Sequence, residues 1–436
     1  MDSIPQAKGK IGAANHFEAA FMLVLFCLPL GNKLVSNLAM FLLVLNCLFF
    51  LKRDHWKMAF RSPLFWAPAA FFALHVLSLI YTQNIEQGLR GLETKLSFLL
   101  APLLIVASRP WFTSSARFRL LIAFSAGVLA ACLWALGNAA WLAWQEGAWF
   151  YDLEDGLGRR YYFVYTHLAK PIMHPGYFST YLGFALFCVL ALWQYFKVKW
   201  PLLAAMVFFF CMMLLLQGRI NLMAFFLTLG MAALGLAIKR RAFIWLIIPL
   251  VPIALLAGVL TFTSSDFSSR YFQWPNLDYD ISGNEFNSAT YRLAEWRCAA
   301  QVIAEQPLLG TGFGDQKDAL LKAYQNHQFW AGLKHRYNAH NQYLETTMAL
   351  GFTGLLFLLI LLGLYLKIAW QQKNYLVVLC LVFFSLCMLT ESMWVRAWAV
   401  LLFNAFIPLF LTVGSVKSKV SGNFLKMAKH PVHQAK

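Results

Sequence analysis

Charged side chains are scarce in this sequence, at 13% of the 436 residues, and only 19 residues are acidic. Hydrophobic residues make up 60%, including 40 Phe and 16 Trp. A soluble protein of this length could not place so much apolar surface inside one core. The composition therefore excludes an ordinary soluble protein and indicates a membrane protein.

Paired cysteines and metal-binding motifs are also missing. Seven of the eight cysteines fall within apolar runs and only Cys298 lies in a polar segment, so no disulfide framework is predicted. No CxxC or HExxH spacing occurs, and we expect no metal site. No small-residue cleavage site follows the first apolar run, which we interpret as a membrane span and not as a signal peptide.

What the sequence does contain is a series of long apolar runs. A run of about 20 residues can cross a hydrocarbon layer about 30 Å thick. Backbone groups in lipid must be hydrogen-bonded within the segment, so these runs should be helices. The sequence predicts an all-α, polytopic membrane bundle of about twelve transmembrane helices. The predicted spans are 15–31, 34–51, 64–81, 95–108, 118–144, 174–196, 201–217, 219–238, 242–262, 342–369, 375–390 and 394–413.

The 36 Lys and Arg residues give a formal net charge of +17, but they do not form one patch. With twelve spans both termini lie on one side, and 21 of the 36 basic residues fall on that side. Basic residues are enriched in cytoplasmic loops, so we predict cytoplasmic termini. The basic excess thus orients the protein and does not indicate nucleic-acid binding.

Four regions follow from these spans. Residues 1–262 hold the first nine spans with an external segment at 145–173, and residues 263–341 form a large external loop. Residues 342–413 hold the last three spans, and 414–436 form a basic cytoplasmic tail. The large loop is predicted to be irregular over 263–287 and then helical from Ser288 to Pro307 and over 315–330. No soluble domain is predicted on the inner face, so any active site faces the membrane or the external side.

His340 is the first candidate for chemistry, because it lies where the large loop enters span ten, with Asn341 and Tyr343 after it. The dipole at a helix N-terminus disfavours an imidazolium, which would keep the ring neutral and able to accept a proton. The alternative is an interfacial histidine that hydrogen-bonds a loop carbonyl. His174 also begins a span on the external side, and we interpret it as an accessory residue of the same cavity.

Two arginines could bind an anion. Arg219 lies in the turn QGRIN between two apolar helices, and Arg292 lies four residues before Trp296 in the external loop. The guanidinium fork suits a phosphate or pyrophosphate. The alternatives are an Arg219 side chain that extends to the lipid headgroups and an Arg292 salt bridge with Glu295 or Asp315.

Two further features are interpreted as structural and not as parts of an active site. The segment PLLGTGFG at 307–314 is similar to phosphate-cradling loops, but no strand precedes it, and a tight turn between two helices is predicted. Glu391 and Arg396 flank the last external turn, where an ion pair is expected.

Several motifs occur in a characteristic order: GR-x-N at 218–221, R-x3-W at 292–296, PLLGTGFG, HNQYLE at 340–345 and G-x2-G at 351–354. Their order and placement resemble the O-antigen ligase and polymerase superfamily, most strongly over about 210–365. The resemblance implies transfer of an undecaprenyl-diphosphate-linked glycan to an acceptor sugar in the periplasm. It also implies an inner-membrane protein in contact with membrane lipids, and inverting chemistry without a metal or other cofactor.

By position in these motifs, Arg219 and Arg292 would bind the donor diphosphate and His340 would activate the acceptor hydroxyl. The accessory candidates are His174, Asn341, Tyr343 and Trp296. Ligation to lipid A-core is favoured because the large loop falls late in the chain and ends in His-Asn. The alternatives are an O-antigen polymerase with the same donor, a protein O-oligosaccharyltransferase, or a non-catalytic polysaccharide flippase or transporter.

Overall fold

The structure is a computed structural model that describes residues 5–147, 162–240 and 288–414. Within these three ranges the regular elements are helices, and no strand occurs. The predicted span 242–262, the predicted irregular segment 263–287, the basic tail after Gly414 and much of the 145–173 segment lie outside the described residues.

The α-helices of the described ranges, in chain order, are α1 (Pro5–Cys27), α2 (Lys33–Phe50), α3 (Arg53–Ala59), α4 (Pro63–Ser78), α5 (Ile85–Lys95), α6 (Ser97–Ala107), α7 (Ala116–Gln145), α8 (Tyr165–Ala169), α9 (Pro175–Leu192), α10 (Trp200–Leu215), α11 (Arg219–Arg240), α12 (Ser288–Glu305), α13 (Gln316–Asn326), α14 (Trp330–His335), α15 (Gln342–Gln371), α16 (Tyr375–Cys387) and α17 (Ala397–Gly414).

Local sequence signals start several of these helices. The Asn32 side chain accepts a hydrogen bond from Leu34 N at 3.0 Å and caps α2. Proline occupies the first position of both α4 and α9, where its missing N–H costs nothing. Such caps satisfy N–H groups that the helix itself leaves without partners.

Within the described ranges, six helices are long and apolar enough to cross a membrane: α2, α7, α9, α11 as far as Lys239, α15 and α17. Shorter apolar helices cover His16–Leu30, Pro63–Ser78, Trp200–Leu215 and Tyr375–Cys387. These helices confirm an all-α polytopic membrane protein. The number of about twelve spans stays a prediction.

The predicted span at 95–108 differs from the structure. The apolar helix there, α6, has 11 residues and is therefore about 16 Å long, roughly half of a hydrocarbon layer. It follows α5, an amphipathic helix that the hydropathy pattern did not indicate because its polar face lowers the mean hydropathy. The helix predicted over 315–330 corresponds to α13, which ends at Asn326; Gln328 follows with a positive φ of 57°, and a separate short helix, α14, begins at Trp330.

Helices α9 and α17 form the centre of the bundle, with 83% and 78% of their residues buried. Helix α17 packs on α6, α1 packs on α2 and α7, and α4 packs on α15 and α6. The core between them is rich in aromatic rings, such as Phe406, which lies 5.0 Å from Phe184 and 5.0 Å from Phe124 between ring centroids.

Helices α12, α13 and α14 form a separate helical cap with its own apolar core around Cys298, Leu320, Tyr324 and Phe329. Ala339 and Met348 belong to the same core, so the cap is continuous with the start of α15. The cap also contacts the segment directly before α5, because Asp315 accepts hydrogen bonds from the backbone N–H groups of Gln83 and Asn84, both at 2.7 Å.

Candidate active site

The cap lies over one end of the bundle, where the segment between α16 and α17 forms a central support. We call residues 388–398, which include the first two residues of α17, the 388–398 turn. Its backbone carbonyls accept hydrogen bonds from the Arg292 Nε at 3.1 Å, the Gln342 N–H at 2.8 Å and the Tyr177 hydroxyl at 3.4 Å. The turn therefore joins the cap, the start of α15 and the start of α9 at a single place.

His340 and Glu295 form the central polar pair of this end. Glu295 Oε2 lies 2.9 Å from His340 Nδ1. The Glu295 side chain is 1% exposed, whereas that of His340 is 26% exposed. With Nδ1 directed at the carboxylate, Nε2 is the ring nitrogen left for a substrate. Sequence reasoning considered Glu295 only as a salt-bridge partner of Arg292, since its distance of 45 residues from His340 gave no local signal.

The backbone of His340 has a positive φ of 41°, which is uncommon for a residue with a side chain. Three contacts hold it there. The His340 N–H donates to Asn338 Oδ1 at 3.1 Å, and the Ala339 N–H donates to Glu345 Oε2 at 3.1 Å. Asn341 Oδ1 accepts from the Tyr343 N–H at 2.9 Å and caps α15. Asn341 thus supports the His340 conformation through the backbone.

Electrostatics at the pair differ from the sequence-based expectation. Burial lowers the pKa of His340, but the hydrogen bond and negative charge of Glu295 outweigh it and raise the pKa above the ordinary value of 6.5. Burial also raises the pKa of Glu295, against the opposing effects of His340 and Arg292. The expectation that the helix terminus keeps this ring neutral was therefore wrong in direction, because a carboxylate in direct contact is a stronger influence than the helix dipole.

Arg292 lies beside this pair with much of its hydrogen-bonding capacity unused. Its Nε donates to the Thr390 carbonyl, and neither expected salt bridge, with Glu295 or Asp315, occurs among the described residues. The Trp296 indole N–H, one helical turn from Arg292, is buried without a hydrogen-bond partner in the described part of the chain. The same holds for the Thr390 hydroxyl. An anion could accept hydrogen bonds from these groups.

Arg219 is the first residue of α11 and follows Gln217, which has a positive φ of 50°. Its place is set by Asn221, whose Nδ2 donates to the Gly176 carbonyl at 3.2 Å and to Thr180 Oγ1 at 2.9 Å. These bonds hold the start of α11 against the start of α9. The backbone position, and not a described contact with Arg292 or His340, places Arg219 at the same end of the bundle.

His174 caps α9, with its Nδ1 accepting from the Gly176 N–H at 3.3 Å. Desolvation lowers the pKa of His174, and the positive charges of His340, Arg396 and Arg292 lower it further against Glu391. The structure therefore brings His174 into the electrostatic surroundings of His340. Tyr343 instead points into the bundle, where its hydroxyl donates to the Ser385 carbonyl at 3.0 Å.

In a comparison with protein families, the family model described as O-antigen ligase matches residues 204–359. This stretch is similar to O-antigen ligase domains. It contains Arg219, Arg292, the glycine turn and His340, and it confirms the resemblance to the O-antigen ligase superfamily, whose members are glycosyltransferase-like enzymes. A comparison with curated proteins gives no match.

The glycine turn donates backbone N–H groups to carbonyls of α15. Thr311 and Gly312 donate to the carbonyls of Met348 at 2.9 Å and Ala349 at 3.1 Å. These carbonyls are released by a kink in α15 at Gly351, where φ is 65° and ψ is −167°. The turn is thus a structural joint between the cap and α15, in line with the tight turn predicted from the sequence.

The expected ion pair between Glu391 and Arg396 does not form within 4.0 Å among the described residues. Arg396 extends from the 388–398 turn and is exposed. Over the same described ranges, no group of three His, Cys, Asp or Glu side chains could hold a metal ion.

Proposed function

We propose that the protein transfers a glycan from undecaprenyl diphosphate to an acceptor sugar, with lipid A-core as the acceptor. The observation that carries this proposal is the contact of His340 Nδ1 with the buried Glu295, beside the Arg292 guanidinium. A general base next to a cation that can bind a leaving diphosphate is what a metal-independent glycosyl transfer requires.

The reaction follows from these positions. The acceptor hydroxyl gives its proton to His340 Nε2 while its oxygen forms a bond with the anomeric carbon of the donor sugar. The bond from that carbon to the diphosphate oxygen breaks on the opposite face, and the configuration inverts. Glu295 stabilises the imidazolium that forms, as the carboxylate does in other base–carboxylate pairs.

The arginines hold the diphosphate and stabilise its charge as it leaves. Arg292 contributes from the cap and Arg219 from the start of α11. The Trp296 indole N–H beside Arg292, which has no hydrogen-bond partner among the described residues, supports a donor-binding role for Arg292. His174 is accessory, because its lowered pKa makes it a neutral residue near neutral pH and its Nδ1 already caps α9.

The basic residues of the loops define the orientation that we propose. The positive-inside rule places the loops that carry most of the basic residues in the cytoplasm, and hence the cap and His340 in the periplasm. The protein would therefore act at the outer face of the bacterial inner membrane, in contact with its lipids.

Lipopolysaccharide gels of a deletion strain test the proposal directly. A ligase predicts loss of all O-chains on lipid A-core and accumulation of long lipid-linked glycan in the periplasmic leaflet. Chains of a single repeat would instead identify a polymerase that uses the same donor. Accumulation in the cytoplasmic leaflet would identify a flippase and contradict a catalytic role. With the purified protein, retention of activity in EDTA tests metal independence, and a loss that magnesium or manganese restores would contradict it.

A further inference from the structure

Glu345, in the first turn of α15, is a buried carboxylate that the proposed chemistry does not use. Its side chain is 5% exposed. Its Oε2 accepts hydrogen bonds from the Ala339 N–H at 3.1 Å and the Ser392 hydroxyl at 3.2 Å, and its Oε1 accepts from Gln316 Nε2 at 3.2 Å. One carboxylate thus joins the residue before His340, the 388–398 turn and the cap helix α13.

Gln342, one turn earlier, strengthens the same connection. Its N–H donates to the Met388 carbonyl at 2.8 Å, and its Oε1 accepts from the Trp394 N–H at 2.6 Å. The 388–398 turn also provides the Thr390 carbonyl to which Arg292 donates. The turn is therefore a common support for Arg292 and for the backbone that holds His340.

The hydrogen bonds of Glu345 all come from neutral donors, and it makes no salt bridge within the described residues. A glutamine could make the same bonds. Its oxygen would accept from Ala339 and Ser392, and its amide would donate to Gln316 Oε1, which is buried and has no partner in the described part of the chain. Gln316 would only need to rotate its amide. Lys95, which is buried, and Lys317, which is half-buried, interact electrostatically with Glu345, and the charge of Glu345 would be needed only if it balances one of them.

We propose that Glu345 is a positioning residue, which holds the His340 backbone and the 388–398 turn in register through hydrogen bonds and not through its charge. The proposal rests on His340 as the base. Without these bonds the strained His340 backbone relaxes, and the base moves relative to the diphosphate that Arg292 binds. Displacement of a catalytic group by about 1 Å can cost about 100-fold in rate.

The experiment compares Glu345→Ala, Glu345→Gln and Ser392→Ala in the purified full-length protein, measuring kcat and the affinity for a lipid diphosphate donor. Glu345→Ala should lower kcat by about 10- to 100-fold and change donor affinity much less. Glu345→Gln should stay within about threefold of the wild type, because the hydrogen bonds are kept. The control is Thr347→Val in the next turn, whose buried hydroxyl bonds only to the Tyr343 carbonyl of the same helix. It should stay within about twofold.

A double-mutant cycle of Glu345→Ala and Ser392→Ala in thermal unfolding gives a readout that does not depend on the reaction. Ser392→Ala should lower the melting temperature in the wild type and have little effect once Glu345 is removed. Additive shifts, wild-type kcat in Glu345→Ala, or a Glu345→Gln as impaired as the alanine variant would each overturn the proposal. Full activity of His340→Ala in the same assay would instead remove the base assignment and the positioning role with it. If Glu345→Ala does not fold, Glu345→Gln and Ser392→Ala decide by the same criteria.

Discussion

The imidazole of His340 and the carboxylate of Glu295 lie 2.9 Å apart, although Glu295 belongs to α12 and His340 precedes α15, with α13 and α14 between them in the chain. The carboxylate is buried and the ring is partly exposed, so the pair presents one ring nitrogen outward. Glu295 also raises the pKa of His340. The orientation and the pKa of the proposed base thus depend on a single contact between Glu295 in the cap and His340 just before α15.

Glu295→Gln should change the pH dependence of the reaction. A general base must be neutral, so activity falls as pH drops below the pKa of His340, which Glu295 holds above 6.5. The glutamine removes the negative charge, so the pKa of His340 should fall and the acidic limb of the kcat/KM profile should move to lower pH. The plateau should fall as well, because the imidazolium loses its partner. Glu305→Gln, at an exposed position of α12, is the control and should leave the profile unchanged. An acidic limb that stays in place in Glu295→Gln would contradict the role of the pair.

His340→Ala should lower kcat by about 100- to 10,000-fold, which is the usual contribution of a general base. Donor affinity should be nearly unchanged, since proton transfer is felt in the transition state. His174→Ala should cost less, because that ring already accepts a backbone hydrogen bond as the cap of α9. Kinetics of the two purified variants check this. A His174→Ala variant more impaired than His340→Ala would reverse the assignment of the base.

Arg292→Ala and Arg219→Ala should both weaken donor binding as well as turnover, because the arginines hold an anion that is already present in the ground state. Lysine at either position should restore activity only in part, since a point charge cannot make two parallel hydrogen bonds to a phosphate. Binding of a lipid diphosphate to the purified variants measures the effect. Arg297→Ala is the matched control, because Arg297 is exposed on the same helix. Equal losses in Arg297→Ala and Arg292→Ala would mean that general positive charge is sufficient.

Trp296→Phe tests the indole N–H beside Arg292 separately. The aromatic ring is largely kept and one donor is lost. If this donor bonds to a diphosphate oxygen, affinity for the lipid diphosphate should fall by about 10- to 100-fold, as for other hydrogen bonds to charged groups. Stability should hardly change, because the N–H has no partner among the described residues. Unchanged donor affinity would assign Trp296 to packing of the cap.

Gly351→Ala should destabilise the protein by at least about 2 kcal/mol, because its φ of 65° with ψ of −167° is a glycine conformation and its Cβ would clash with the Leu308 backbone. The joint between the glycine turn and α15 should loosen and activity should fall. Gly363→Ala is the matched control in the same helix, with open space around its Cβ, and should be neutral or stabilising by about 1 kcal/mol. Thermal unfolding in detergent measures both. Equal stability of the two variants would show that the kink at Gly351 does not depend on glycine.

Cysteine labelling of intact cells tests the orientation. Lys334→Cys places a thiol on an exposed position of α14 in the cap, and Lys373→Cys places one on the exposed turn between α15 and α16. An impermeant reagent should label position 334 and not 373. The reverse pattern would place the cap in the cytoplasm and exclude a periplasmic reaction.

Much of this molecule could be predicted from the sequence because the informative signals are local. Apolar runs predict helices in lipid, and the order of GR-x-N, R-x3-W and HNQYLE points to an O-antigen ligase domain. The helices at 288–305 and 316–326 could also be anticipated from periodicity. Arg219, Arg292 and His340 as site residues stay predictions that the variants above test.

Only the tertiary structure shows which of these helices and polar residues contact each other. The Glu295 partner of His340, the Glu345 bonds to three segments and the support given by the 388–398 turn join residues far apart in the chain. Hydropathy and periodicity describe one segment at a time and cannot indicate which polar groups meet at the ends of packed helices. The same limit applies to α5 and α6, because hydropathy does not indicate an amphipathic helix and does not show where a short apolar helix ends. The sequence by itself thus determined the class of protein and indicated candidate site residues, whereas long-range packing decided the partners of these residues, the direction in which their pKa values shift and the backbone strain at His340.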